Sequence, residues 1–171
     1  FKLLTTSASG VVLRASDAVL FSCWVIAVLV WVRPSRVYVS TDPPVVVPFI
    51  VMLYTQLFGA EYIYHLQDIH PEAANVVIPV NKWVYKFLLK MDVMSMRKAK
   101  CLITITEQMA TEIRTRSGTL APIHIVDNPA VSFENIDKTR PKITGFAFCG
   151  NAGRLQRIPF MLEVIRIYFE R

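Results

Sequence analysis

The octapeptide HLQDIHPE, residues 65–72, gathers His65, Asp68, His70 and Glu72 within eight positions. A carboxylate and an imidazole so spaced can act as acid, base or partner to a reacting hydroxyl. The run AEYIYHLQD before them reads as a strand, which sets Asp68 and His70 at its carboxyl end, the edge where parallel sheets bind ligands. The plainer role for Asp68 is to cap the turn that follows. His65, inside the strand, reads as a core histidine. A metal centre is the weaker interpretation, because no further His or Cys cluster completes a coordination shell.

A second chemical feature is the turn Gly150-Asn151-Ala152-Gly153, set between an apolar strand (Ile143 to Cys149) and an amphipathic helix. Glycines let backbone N–H groups face a phosphate, a helix N-terminus adds positive potential, and Arg154, Gln156 and Arg157 stand close by. An ordinary strand-to-helix turn with solvated arginines fits the same residues. The turn lacks both GxGxxG and GxxxxGK[ST], so neither dinucleotide binding nor ATP hydrolysis is indicated.

The third is a basic stripe. Lys82, Lys86 and Lys90 recur at i, i+4 and i+8, with Trp83, Phe87 and Met94 on the neighbouring face and Arg97, Lys98 and Lys100 beyond. A helix basic on one side and aromatic beside it can lie on an anionic bilayer. A solvated face over a core-facing one is the commoner use of such a pattern. No nucleic-acid-binding motif accompanies the charge.

These residues need a scaffold, and the punctuation of the chain supplies one. RVYVSTDPP is a β-branched run ended by a proline turn, and VVVPFIVMLYTQLFG has helical length and ends on Gly59, a C-cap. After AEYIYHLQD and a polar loop, residues 81–99 read as a long helix and CLITIT as a strand. TEQMATEIRTRSG reads as a helix capped by Thr106 and ended by Gly118. IHIVDNPAV closes the series as a short strand and turn. Short apolar strands alternating with helices predict parallel βαβ units in a Rossmann-like α/β sheet with helices on both faces. The polar residues at the strand ends are Thr41-Asp42, residues 67–70, residues 104–107 and Asp127-Asn128.

Composition narrows the rest. The 171 residues are 53% hydrophobic and 19% charged, which argues against disorder, and the formal net charge of +6 favours a polyanionic partner. Cys23, Cys101 and Cys149 each lie in an apolar run and read as buried free thiols in a reducing compartment. No signal peptide is read at the start. The segment AVLFSCWVIAVLVWV, residues 18–32, is uncharged over fifteen residues, short of the ~20 needed to span a bilayer, and predicts a buried helix. SFENIDKTRPK, residues 132–142, reads as a linker. The expected organisation is therefore 1–131 as one α/β domain, 132–142 as a hinge, and 143–171 as the first βα unit of a second Rossmann-like domain.

In order along the chain, VYVSTDPP, YIYHLQDIHPEA, A-x-CLITITEQMATEI, IVDNPAV and FAFCGNAGRLQRIP resemble glycosyltransferase family 4, in the branch that builds bacterial O-antigen and capsular polysaccharide. The likeness runs from about Val37 to Pro159, over five motifs of which none is diagnostic alone. It implies a GT-B architecture of two Rossmann-like domains, an acceptor-side one and a donor-binding one. It implies a retaining, metal-independent transfer without cofactor, from a nucleotide sugar (a UDP-N-acetylhexosamine by analogy) to a lipid-diphosphate-linked sugar. Asp68 matches the aspartate of an RDLWPE-like loop, with His70 at its aromatic position, so these two are the implied catalytic residues.

The same resemblance puts Gly150, Asn151, Gly153, Arg154, Gln156 and Arg157 on the donor diphosphate. Lys82, Trp83, Lys86 and Lys90 fall on the acceptor and membrane side, at the inner face of the bacterial inner membrane. The sequence departs from the pattern in lacking a glycine-rich loop upstream and an E-x7-E motif downstream, so these residues alone are not expected to form a complete catalyst. A non-catalytic α/β module binding a nucleotide or a protein is the alternative.

Overall fold

Four short runs rich in β-branched and aromatic residues pair side by side. They are β1 (Arg36–Ser40), β2 (Glu61–Leu66), β3 (Cys101–Thr104) and β4 (Ile123–Ile125), in the order β1-β2-β3-β4 and all parallel. The computed structural model describes residues 11–41, 43–69, 81–127, 145, 146, 148 and 157–170. Among the described residues four helices join or flank the strands, α1 (Val11–Val32), α2 (Val46–Phe58), α3 (Lys82–Lys98) and α4 (Glu107–Ser117), and α5 (Ile158–Phe169) lies near the C-terminal end of the chain. The chain divides into two units, Phe1–Asn128 and Pro129–Arg171.

The register shows which side chains share a face. Val39, Tyr64 and Leu102 are aligned, as are Leu66 and Thr104, and all five are buried beneath the helices. Tyr38, Ile63 and Cys101 are aligned on the other face, where Tyr38 is 59% exposed. Strand order explains this one-sidedness. Crossovers of one hand that step in one direction across a sheet leave their helices on one face. The expectation of helices on both faces is thus corrected: among the described residues, burial is concentrated on one.

Helix boundaries follow local chemistry. Asn81 accepts a hydrogen bond from Trp83 N at 2.9 Å and starts α3, and Thr106 accepts from Met109 N at 3.2 Å and starts α4. Gly59 and Gly118, at φ 67° and 62°, end α2 and α4 in the left-handed conformation that a Cβ disfavours. The core packs Val47, Val51, Met52 and Tyr54 of α2 against the sheet, with Met96 of α3 and Ile113 of α4. Each such side chain taken fully from water contributes about 1.5–3 kcal/mol.

Helix α1 departs from expectation. It extends over 22 residues and packs through Leu29, with Phe21 and Val25 half-buried, while Leu20, Trp24 and Trp31 face outward. The predicted buried helix is therefore buried on one stripe only. Cys23 is exposed and Cys101 half-buried, which corrects the expectation of buried thiols there; Cys149 lies outside the described residues.

In the second unit, α5 begins after Arg157 and carries Pro159 in its first turn, a position that suits proline's fixed φ and missing N–H. Phe146 packs edge-on to Tyr168 and Phe169, with ring centroids 5.3 and 5.8 Å away. The strand predicted over residues 143–149 falls largely outside the described residues.

Candidate functional site at the strand ends

Parallel strands bring their carboxyl ends to one edge, so the residues just past each strand are neighbours by construction. Past β1 stands Thr41, 2% exposed, and past β2 stand Gln67 and Asp68, both exposed. Thr104 closes β3, fully buried, and its Oγ1 lacks a hydrogen-bond partner among the described residues. Thr106 is spent on capping α4. Asp127, past β4, is exposed. The edge thus combines a solvent-facing carboxylate, Asp68, with buried hydroxyls on the strands to either side.

Two features tighten this edge. Val45, between β1 and α2, holds φ 62° and ψ −58° while 3% exposed, an outlier for a β-branched side chain that costs of order 1–3 kcal/mol. One residue before Leu66, His65 accepts or shares a hydrogen bond through Nδ1 with the Tyr38 hydroxyl, tying β2 to β1. The His65 Nε2 is buried without a partner among the described residues. His65 is therefore not a core histidine under the helices. It lies on the opposite face of the sheet, in register with Ser40 and Ile103.

Asp68 stands where the sequence predicts it, at the carboxyl end of β2. His70 lies outside the described residues, as do Gly150, Asn151, Gly153, Arg154 and Gln156. Arg157 is described: it is exposed, in the left-handed conformation at φ 45°, and its carbonyl accepts from Phe160 N and Met161 N in the first turn of α5. Lys82, Trp83, Lys86 and Lys90 are exposed along α3, with the Lys86 ammonium 5.9 Å from the Trp83 ring centroid. The buried side of α3 is Met91, Asp92, Ser95 and Met96, so Trp83 (80% exposed) and Phe87 (63%) face solvent rather than core.

Under β2 lies a polar cluster that sequence reasoning missed. The Tyr64 hydroxyl donates to Asp92 Oδ1 at 3.0 Å, and Arg116 of α4 meets Asp92 Oδ2 at 2.9 Å, with both ionic side chains nearly inaccessible. The Tyr62 hydroxyl donates to the Ser95 carbonyl. Burial, joined at Tyr64 by the adjacent Asp92 carboxylate, raises both tyrosines well above the ordinary phenol range. A single acidic residue among the buried positions of α3 was the available signal.

A cavity of about 590 Å³ opens at the opposite end of the sheet, between Gln56, Glu61, Arg97, Lys100, Gly118 and Leu120. Its position at the C-termini of α2, α3 and α4 accounts for its basic lining, since cations there complement the helix dipoles. Carbonyl ends face it, which makes it a poor anion cradle despite the lysines. Among the described residues no group of three or more His, Cys, Asp or Glu side chains could hold a metal ion, and no helix is long and apolar enough to cross a membrane. Comparison with protein-family models, curated proteins and solved structures found no match.

Proposed function

We propose that the chain belongs to a retaining glycosyltransferase that moves a sugar, an N-acetylhexosamine by analogy, from a UDP-linked donor to a lipid-diphosphate-linked acceptor in bacterial surface-polysaccharide assembly. The observation that carries it is the exposed Asp68 at the carboxyl end of β2 in an all-parallel sheet, within the motif that most resembles family 4. In this reading the bond from the anomeric carbon to the diphosphate oxygen breaks, the nucleoside diphosphate departs with that electron pair, the acceptor hydroxyl oxygen takes its place on the carbon, and the hydroxyl proton passes to Asp68. Asp68 accepts a hydrogen bond from that hydroxyl, and His70 of the same motif is assigned to the catalytic set by the resemblance. Backbone N–H groups of residues 150–153, with Asn151, Arg154, Gln156 and Arg157, receive the diphosphate. The α3 face bearing Lys82, Trp83, Lys86 and Lys90 holds the acceptor lipid at the cytoplasmic surface of the inner membrane.

The test is sugar transfer by the complete protein with a panel of UDP- and GDP-sugars and a lipid-diphosphate acceptor, comparing the native residue with Asp68→Ala. The expected result is transfer with one UDP-sugar, lost by at least about a hundredfold in the variant, the range for a positioned acid–base group. Normal turnover by Asp68→Ala removes this residue from the chemistry. Absence of transfer with every donor, alongside saturable binding of a nucleotide or protein, favours a non-catalytic binding module.

A further inference from the structure

Helix α1 presents two faces of similar hydrophobicity and buries one. Phe21, Val25 and Leu29, spaced by four, pack against the core, and Asp17 one turn earlier is 3% exposed. Leu13, Leu20, Trp24 and Trp31, spaced by seven, four and seven, fall on a single line of the helix surface. They are 47%, 48%, 45% and 86% exposed. No charged residue interrupts residues 18–32. Beside this line, Ile26 and Val30 meet Leu53, Leu57 and Phe58 of α2 around an apolar cleft of about 210 Å³. A soluble surface seldom carries so continuous an apolar strip without a partner.

The charges at its end identify the partner. Arg33 follows the helix directly, its guanidinium 5.9 Å from the Phe58 ring centroid, and the Arg36 side chain is 86% exposed, with the Glu61 carboxylate 3.9 Å from its Nε and the Lys100 ammonium on the other oxygen of that carboxylate. Arginines of one sign at the margin of an apolar, tryptophan-bearing strip match an anionic headgroup layer above acyl chains. A parallel second copy would set Arg33 against Arg33. Fifteen uncharged residues at 1.5 Å each reach only about 22 Å, against about 30 Å of hydrocarbon, so such a helix lies along a bilayer and does not cross it.

We propose that the outer face of α1, with the C-terminal end of α2, docks on an anionic phospholipid bilayer. Leu20, Trp24 and Trp31 enter the boundary between headgroups and acyl chains, and Arg33 and Arg36 meet lipid phosphates. This surface belongs to a different helix from the lysine stripe of α3, and it stands whether or not the chain transfers sugar.

The tryptophans make the two helices separately visible, since Trp24 and Trp31 report on α1 and Trp83 on α3. The chain carrying Trp83→Phe is mixed with vesicles of phosphatidylcholine and phosphatidylglycerol whose acyl chains are brominated. Its emission is expected to shift to the blue and to be quenched. The Trp24→Phe/Trp31→Phe chain, keeping Trp83, is expected to show weaker quenching. Trp24→Ser/Trp31→Ser is expected to cosediment with these vesicles at least about tenfold less while keeping its circular dichroism. Arg33→Glu/Arg36→Glu is expected to lose the preference for phosphatidylglycerol over pure phosphatidylcholine. Quenching of Trp83 with Trp24 and Trp31 unaffected would place the bilayer on α3 and overturn the proposal. A blue shift that needs no lipid and grows with protein concentration overturns it in favour of a second copy.

Discussion

Tyr64 of β2 donates its hydroxyl to Asp92 of α3 at 3.0 Å, and Arg116 of α4 closes on the other carboxylate oxygen at 2.9 Å. One carboxylate therefore joins the interior strand β2 to two helices nearly out of contact with water. A buried ion pair adds little net stability over a well-packed apolar replacement, but removing one partner strands the other's charge.

Asp92→Ala is expected to cost about 3–5 kcal/mol, because it removes the carboxylate that the nearly buried Arg116 guanidinium meets at 2.9 Å. Tyr64→Phe removes one hydroxyl donor and leaves the ion pair, so about 1–2 kcal/mol is expected. Urea unfolding of the two variants checks the ranking. An Asp92→Ala chain as stable as the Tyr64→Phe chain would show that the pair is not buried.

Alkaline pH should destabilise the sheet through Tyr62 and Tyr64. Their folded-state pKa values are raised by burial, so the neutral phenol is what the fold stabilises. That contribution is complete below the unfolded tyrosine value near 10 and is lost as pH climbs toward the folded value. Stability is expected to fall by roughly 1.4 kcal/mol per pH unit per tyrosine above about pH 10. Absorbance of phenolate should show these two tyrosines ionising only together with unfolding.

Glu61 behaves in the opposite sense. The Lys100 ammonium, 2.9 Å away, lowers its pKa by hydrogen bonding and then by charge, with Arg36 adding to the effect. A lowered folded value gives stability that is present above the unfolded carboxylate pKa and lost as pH falls through the folded one. The pair is exposed, so a small contribution is expected, reduced further by salt. Lys100→Met should make the acid limb of the stability profile slightly shallower at low salt without moving the alkaline one.

Asp68→Ala is expected to leave thermal unfolding unchanged within about 0.5 kcal/mol, since the side chain is exposed beyond the end of β2. A larger loss would assign Asp68 to the turn that follows it rather than to a ligand.

Thr106→Ala removes the acceptor for Met109 N at the start of α4 and should cost about 1 kcal/mol. Thr106→Ser, which keeps the hydroxyl, is expected to recover most of it. Equal loss in both would place the effect in packing of the methyl group.

Local conformation is legible in the residues themselves. Gly59 and Gly118 end their helices, Thr106 caps α4, and the strand–helix alternation specifies a parallel α/β sheet with Asp68 past the end of β2, because each of these depends on a few residues of chain. What packs against a side chain depends on segments tens of residues away, and there the sequence pattern misleads. Cys23 sits in an apolar run yet is exposed, because it lies on the side of α1 turned away from the stripe of Phe21, Val25 and Leu29 that packs on the core. His65 alternates with Tyr64, so it points away from the helices and pairs with Tyr38. Asp92 looks like one more polar residue of a charged helix until Tyr64 and Arg116 arrive from two other elements. Short-range conformational preference determined the elements; burial, a property of the assembled layers, decided what each face of them does.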